Sequence, residues 1–546
     1  MDYTRSADGE TNSNAGTGSE SNASGESESD GGQTLGRLPN RLVPIATLLG
    51  SVALVVLVWR FTVDALSLPT VLLPSPSAVW VAFTTHAGSM YPQVVYTGTE
   101  ILLGWLVGVT GGITLAAIMA LSGRLRAVLY PTVLAVRIVP LVVFAPLLVL
   151  AFGATLTTRV GIAALLTFFP MTVATLDGLG SVPKTHLDLG QLVDAPAWRL
   201  LLSIRLPYAL PEVFTGLKIA TPLAVEGVLI AEFLAATKGV GFELLETARL
   251  LQTPLLFAYL GVLAVGALAL FGVVVRTERR VGTSDGTDSL GEAFVTGRTV
   301  VETGRREVAG ALVALAGILV VWGIAARIVP NASVFLPPPL AVLRTLIESP
   351  GLFLHAGYAT GTKLLTGWCL GAGVGLALGV CIRIVPGLGS VLYPYLVGFR
   401  VMPHVAVAPL LLVWFGVSFE AAVIMIAAST FFPITIGTAA GLAATPDEQL
   451  ALLRSVDAPL HRELLFVRLR NAVPSLFAGI KLSVVTAVVG TVIAEWFVAE
   501  RGFGVLVLQG MSDFAPALTF AAAVCLFALG GGLFAIVAAL QWYVSW

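Results

Sequence analysis

Long apolar runs separated by short polar segments dominate the chain from about residue 40 onward. The runs lie near 42–60, 94–122, 127–152, 157–178, 211–236 and 254–276, and then near 308–327, 357–382, 390–414, 419–442, 474–497 and 514–540. Twenty or so apolar residues in a helix cross the hydrocarbon of a bilayer with every backbone polar group satisfied. The pattern therefore predicts an all-α polytopic membrane protein with about 12 transmembrane helices.

The second set of runs repeats the first at an offset of 263 residues. The segment FFP that ends at Pro170 recurs ending at Pro433, and APLL occurs at both 145–148 and 408–411. Such self-similarity indicates an internal duplication. Since six spans in each half is an even number, we expect the two halves to have the same orientation, as two parallel six-helix repeats.

Basic residues predict the orientation of the chain in the membrane. Lys and Arg occur in the loops at one end of the spans, at Arg124, Arg126, Lys184 and 276–280. The segment 61–93, at the other end, contains no Lys or Arg. Because basic loops stay in the cytoplasm, we expect a multi-pass plasma-membrane protein with both termini cytoplasmic. Long proline-containing first loops, 61–93 and 331–355, would then lie outside.

The segments that flank the two halves are polar. Residues 1–36 are rich in Ser, Gly, Asn and acidic residues without apolar periodicity, which predicts a disordered acidic tail. Residues 277–306 read as a cytoplasmic linker of Gly, Thr and charged residues. The predicted organisation is therefore a tail at 1–36, a first half at 37–276, a linker at 277–306 and a second half at 307–546.

One polar stretch occurs in both halves, VDAPAWRLLLSIRLPYALPEVFTGLK at 193–218 and VDAPLHRELLFVRLRNAVPSLFAGIK at 456–481. An Asp before Ala-Pro is suited to cap a helix through its carboxylate, and Pro fits the first turn. Pro207 and Pro211 are expected to end that helix and to begin the next span. We predict a helix–turn–helix hairpin outside the lipid, carried by Asp194, Pro196, Arg199 and Arg205, and by Asp457, Pro459, Arg462 and Arg468. The alternative is an ordinary basic interfacial loop, which needs charge but not two matched copies of one shape.

Four charged residues fall inside predicted spans, namely Arg137, Glu232, Arg400 and Glu495. Intramembrane charges are expensive and usually functional, so they are candidates for lining a translocation path. The alternative for Glu232 and Glu495 is that they cap a helix or reach toward the outer interface. Glu226 occurs in the first half only.

Several classes of function are not indicated. The net charge of −1 argues against nucleic-acid binding. The chain has no GxxxxGK[ST] loop, no HExxH and no GxSxG, so we expect no catalytic residues, no metal or cofactor site and no ATP bound by this chain. The sequence thus favours a transport subunit over an enzyme.

The doubled hairpin resembles the cytoplasmic coupling loop of ABC importer permeases. LPSPSAVW at 73–80, APLLVLAFG at 145–153, APLLLVWFG at 408–416 and GTVIAEWFVAERGFG at 490–504 are similar, more narrowly, to permeases of the nitrate, sulfonate and taurine type and to their thiamine-precursor pyrimidine relatives. The resemblance covers both halves and implies two permeases fused in one chain. It also implies inward transport of a small polar solute by alternating access, two copies of a separate ATPase and an extracellular solute-binding protein.

The sequence departs from the family within the loop. The Glu-Ala-Ala position holds Asp188-Leu189-Gly190 and Ala451-Leu452-Leu453, and the family glycine is replaced by Asp194 and Asp457. Our interpretation is that Asp breaks the helix by capping rather than through a positive φ. The alternative function is an ion-coupled secondary transporter, which can also be a parallel 6+6 repeat but needs no matched hairpins.

Overall fold

The computed structural model describes residues 43–126, 129, 133, 141–192, 194–282, 305–328, 335–385 and 387–544. Residues from Arg60 onward form one compact unit, and the helical residues before Arg60 are described by themselves. The predicted acidic tail and most of the predicted linker lie outside the described residues.

The described helices follow the same order in both halves. In the first half they are α1 (Val43–Ala65), α2 (Pro76–Leu121), α3 (Ala145–Phe152), α4 (Leu156–Gly180), α5 (Lys184–Leu192), α6 (Ala197–Leu200), α7 (Leu206–Ala235), α8 (Val240–Arg249) and α9 (Thr253–Val281). In the second half they are α10 (Arg305–Ile328), α11 (Pro339–Glu348), α12 (Pro350–Ile384), α13 (Leu388–Val401), α14 (Ala408–Phe415), α15 (Phe419–Ala443), α16 (Asp447–Ser455), α17 (Leu460–Arg462), α18 (Leu469–Phe497), α19 (Phe503–Ser512) and α20 (Pro516–Val544).

Eight helices within the described residues are long and apolar enough to cross a membrane, four at equivalent places in each half. They are Pro76–Leu121, Leu156–Gly180, Ala197–Ala235, Thr253–Val281, Pro350–Ile384, Phe419–Ala443, Glu463–Phe497 and Pro516–Val544. Helices α1 and α10 lie where the first span of each half is predicted. The predicted all-α membrane fold with two repeats is confirmed.

The third span of the second half was expected as one helix over 390–414, and this is wrong. The chain bends by 90° between Val391–Val401 and His404–Phe415. The break falls at Met402, which is extended with ψ 126° and comes just before Pro403. A residue before proline avoids the helical region, which explains the position of the bend. The equivalent segment of the first half lies mostly outside the described residues.

The predicted first loops and linker are also shorter than expected. Helix α2 already begins at Pro76, where the Ser75 hydroxyl accepts the Ala78 N–H at 3.3 Å. In the second half α11 and α12 occupy most of 331–355, and Ser349 separates the two helices. Helix α9 continues to Val281, five residues into the predicted linker. At the start of α2, a serine cap followed by proline is a helix-start signal that outweighs the loop-like composition of the segment.

Glycines allow the central helices of each half to pack closely. Helix α4 lies between α2 and α7, and α15 lies between α12 and α18. A Cβ added at Gly108 would overlap the Thr167 hydroxyl, and one at Gly371 would overlap the Thr430 hydroxyl. Small residues therefore bring the helix backbones together, as in other membrane bundles.

The two halves meet at the end of α7 and α18 remote from the hairpins. The rings of Phe233 and Phe497 pack edge to face with centroids 5.1 Å apart. Helix α8 lies against α14 of the other half, and α19 lies against α3. The Trp414 indole N–H also donates to the Leu72 carbonyl at 2.6 Å. Each half thus contributes equivalent elements to a reciprocal interface.

Candidate functional site

A short hairpin precedes the fifth span in each half. In the first half α5 leads through a turn into α6, and in the second α16 leads into α17. The side chains of Asp194, Pro196 and Arg199, and of Asp457, Pro459 and Arg462, are exposed. These six residues therefore form the same solvent-exposed surface on each of the two hairpins.

Asp194 and Asp457 do not cap the following helix, so the capping interpretation is wrong. Their φ angles are 48° and 47°, in the left-handed region. The residue before α6 is Pro196, with no side-chain capping bond. At the second hairpin the Ala458 N–H donates to the Leu453 carbonyl at 3.0 Å, which closes the end of α16 around Asp457. The aspartates thus end the first hairpin helix in the place where glycine is usual, because Asp tolerates this conformation.

The second hairpin helix continues into the membrane span without a break, contrary to the expectation for Pro207 and Pro211. A π-helical turn, Leu201–Arg205 in the first half and Glu463–Arg468 in the second, joins the hairpin to the span. The Leu206 N–H donates to the Leu201 carbonyl, five residues back. Such π-turns are uncommon and concentrate at functional sites. The hairpin and the span therefore form one continuous element in each half.

A side-chain hydrogen bond ties the two arms of each hairpin at the same position. His186 and Tyr208 are joined in the first half, with the ring nitrogen and hydroxyl 3.0 Å apart. At the equivalent positions of the second half, the Asn471 amide donates to Gln449 at 2.7 Å. The residue types differ while the tie is kept, so the hairpin shape is held in both copies.

The second arginine of each hairpin is engaged inside the molecule. Arg205 donates to the Ala120 carbonyl at 3.1 Å, at the last turn of α2. Its counterpart Arg468 instead pairs with Glu463 at 2.5 Å. A cation at a helix C-terminus and an ion pair are both favourable partners. Of the four hairpin arginines that the sequence predicts, Arg199 and Arg462 are therefore the exposed pair.

Glu232 and Glu495 lie at the far ends of α7 and α18, each about 1% exposed. Glu232 accepts the Gly241 N–H at 2.6 Å and the Thr97 hydroxyl at 2.6 Å. Glu495 accepts from Gly504 at 2.7 Å and Thr360 at 2.8 Å. We call these clusters the first and second junctions. Each carboxylate accepts one free N–H group at the start of a short helix, α8 or α19.

The remaining intramembrane charges are placed less symmetrically. Arg400 packs over the Phe432 ring at 5.9 Å and interacts electrostatically with Glu226 of the other half. Arg137 lies outside the described residues. Whether Arg400, Glu232 and Glu495 line a translocation path stays a prediction.

Residues 108–283 and 371–543 each match the family described as the inner membrane component of binding-protein-dependent transport systems. The chain belongs to this family. Residues covering 40% of the chain are 34% identical to a probable ABC transporter permease of Haemophilus influenzae, over 90% of that protein. The formylaminopyrimidine permease of Halalkalibacterium halodurans is 30% identical over 90% of its length, and the taurine permease of Escherichia coli is 31% identical over 83%.

Each of these relatives has the length of one half of this chain, so the chain is an ABC permease with two family domains in tandem. The family explains the multi-pass membrane fold and the transport role, which the sequence predicts correctly. Family membership also implies partners of two kinds, an ATPase and a substrate-binding protein.

Sequence reasoning missed three charged residues of the permease junctions. Arg159 donates to Glu100 at 2.6 Å in the first junction, and Lys363 pairs with Glu495 at 2.7 Å in the second. All three are buried, at 6%, 0% and 4% exposure. The signal was present in the repeat itself, because Glu100 and Lys363 occupy equivalent positions with opposite charge.

Proposed function

We propose that this chain is the fused transmembrane subunit of an ATP-driven ABC importer that moves a small polar solute inward by alternating access. The observation that carries the proposal is the pair of hairpins, each continuous with a membrane span through a π-turn. A force applied to such a hairpin reaches the span directly because no loop lies between them. Family membership supports the same function.

Two copies of an ATPase are the proposed partners on the hairpin side. An ATPase dimer offers two grooves, and this chain offers two hairpins with exposed Asp, Pro and Arg at equivalent positions. ATP is then used by the partner, and this chain binds no cofactor. Under this proposal the hairpins, the linker and both termini lie in the cytoplasm, and the basic residues near the hairpins support this orientation.

An extracellular solute-binding protein is the proposed partner on the opposite side and sets the choice of solute. The relatives include permeases named for taurine, aliphatic sulfonates, a formylaminopyrimidine, riboflavin and bicarbonate. We propose that the solute is a sulfonate-like, nitrate-like or taurine-like anion or zwitterion, or a thiamine-precursor pyrimidine.

The test is co-purification of the full chain with the ATPase of the same organism, followed by measurement of the subunit ratio by native mass spectrometry. We expect two ATPase subunits for each chain. The second part measures uptake into proteoliposomes that contain the complex and the binding protein, with and without ATP. Uptake by the chain alone on an ion gradient would overturn the proposal and favour an ion-coupled secondary transporter.

A further inference from the structure

The two junctions share their geometry but differ in one charge. In the second junction the Lys363 ammonium lies 2.7 Å from Glu495 and also donates to the Arg501 carbonyl. The equivalent of Lys363 in the first junction is Glu100. The first junction therefore places a second carboxylate at the position from which the second junction supplies a cation.

Arg159 compensates for only one of the two carboxylates. Its guanidinium donates to Glu100 Oε1 at 2.6 Å, to the Ala154 carbonyl at 3.0 Å and to the Tyr96 hydroxyl. The equivalent position in the second half is Ala422. Glu100 and Arg159 thus form a buried pair that has no counterpart, and Glu232 is left without a cation of its own among the described residues. Two carboxylates face one guanidinium in a buried site.

One oxygen of this cluster lacks a donor. Glu100 Oε2 is buried and has no hydrogen-bond partner among the described residues. The Glu232 carboxylate and the Tyr96 hydroxyl both interact with the Glu100 carboxyl group. Two ionised carboxylates cannot hydrogen-bond to each other, since both are acceptors only, whereas a protonated carboxyl donates one hydrogen bond. Like charges held this close share a proton rather than both ionising.

We propose that the first junction binds one proton, shared between Glu232 and Glu100, in the place that the Lys363 ammonium fills in the second junction. The proton supplies the donor that Glu100 Oε2 otherwise lacks. It also leaves the junction with one negative and one positive charge, as Glu495 and Lys363 give the second. The two halves therefore reach the same charge balance by different means.

The groups facing this proton come from every helix that packs around it. Helix α2 contributes Tyr96 and Glu100, α4 contributes Arg159 and α7 contributes Glu232. Helix α8 contributes the N–H groups of Val240 and Gly241, which bond to Thr97 and Glu232. Glu243 of α8 interacts with Tyr259 of α9. Loss of the proton would leave two ionised carboxylates that repel each other where α2, α7 and α8 meet. Deprotonation would therefore weaken the packing of the first junction but not of the second.

The experiment is difference infrared spectroscopy of the purified full chain in lipid. We expect the carbonyl stretch of a buried protonated carboxyl group in the wild type, shifted in D₂O. The band should be lost in Glu232→Gln and in Glu100→Gln, because either change removes one of the two carboxyls that share the proton. The matched control Glu495→Gln with Lys363→Met changes the second junction without leaving a buried ammonium, and it should retain the band.

A second variant separates the proton from the fold. Glu100→Lys with Arg159→Ala gives the first junction the residues of the second, so it should remain folded and lose the band. The proposal would be overturned if the wild type showed no such band, or if its band remained in these variants. An absent band together with thermal stabilisation by Na⁺ would likewise overturn it, since a metal cation would then neutralise Glu232. The readouts need no ATPase, so they are independent of the proposed transport function.

Discussion

Asp194 and Asp457 adopt the same left-handed backbone conformation, with φ of 48° and 47°, at equivalent turns of the two hairpins. Both side chains are exposed. Each aspartate therefore has two properties, a left-handed backbone conformation and an exposed charge that a partner can contact. Substitutions can change one property without the other.

Replacement of both aspartates by glycine keeps the conformation and removes the charges. We expect the Asp194→Gly, Asp457→Gly variant to keep its thermal stability, because glycine enters this region without the cost of about 1–2 kcal/mol that other residues have. The matched Asp194→Val, Asp457→Val variant should lose stability by about that amount at each turn. We expect ATP-dependent uptake to depend on the conformation of the turn. Uptake should therefore remain in the glycine variant and fall in the valine variant.

The measurement is uptake in proteoliposomes together with ATPase retention on the purified chain. A glycine variant that binds the ATPase but no longer transports would show that the carboxylates themselves are needed. In that case the shape of the turn would be insufficient for coupling.

A buried ion pair on the hairpin side of the membrane distinguishes the two halves. The Lys218 ammonium donates to Glu278 at 2.8 Å, with both side chains nearly inaccessible. The equivalent residues of the second half are Lys481 and Gln541, and the side-chain carbonyl of Gln541 is buried without a partner among the described residues. We expect Glu278→Gln to destabilise the chain by about 3–5 kcal/mol, because it leaves a buried ammonium unpaired.

The control for that variant is Gln541→Glu, which offers Lys481 an acid in the second half. Lys481 is half-buried, so the gain or loss should stay below about 1 kcal/mol. Thermal unfolding in detergent measures both changes. Equal shifts for the two variants would contradict a special role of the Lys218–Glu278 pair.

The sequence predicted the repeat, the all-α membrane fold and the hairpins, because apolar runs and a fixed offset report directly on membrane helices. It did not predict the bend between Val391–Val401 and His404–Phe415. It did not predict that the aspartates have positive φ, since one Asp-x-Pro segment is compatible with both a cap and a left-handed turn. It also missed the continuity through Pro207, because proline is tolerated in the first turn of the helix that follows the π-turn as well as at a helix end. The opposite charges of Glu100 and Lys363 at equivalent positions were visible in the repeat. Their role could not be inferred without the contact between Glu100 and Arg159, which lie far apart in the chain.

Close helix packing in the first half can be tested at two glycines of α2. A Cβ at Gly108 would overlap Thr167, whereas nothing lies within 4 Å of a Cβ at Gly98. Gly108→Ala should therefore destabilise the chain by about 1–3 kcal/mol, as overpacking usually does. Gly98→Ala should be neutral or stabilising by up to about 1 kcal/mol, because alanine favours a helix. Thermal unfolding that ranks the two variants in the opposite order would contradict the packing of α2 on α4.

The two junction glutamates should respond differently to the same substitution. Glu495→Gln removes the counterion of Lys363 and leaves a buried ammonium, so we expect a loss of about 3–5 kcal/mol. Glu232→Gln replaces a carboxyl that already shares a proton with Glu100, and its amide can donate to Glu100 Oε2 in place of that proton. The cost is then one hydrogen bond from Thr97 or Gly241, about 1 kcal/mol.

Thermal unfolding of the two single variants, in the same lipid and at the same pH, measures this asymmetry. The double variant Glu495→Gln, Lys363→Met serves as the control, because it removes the ammonium with its partner and should recover most of the stability lost in Glu495→Gln. If Glu232→Gln were as damaging as Glu495→Gln, Glu232 would be ionised in the folded chain. Arg159 would then have to balance both carboxylates of the first junction, and the two halves would differ in net buried charge.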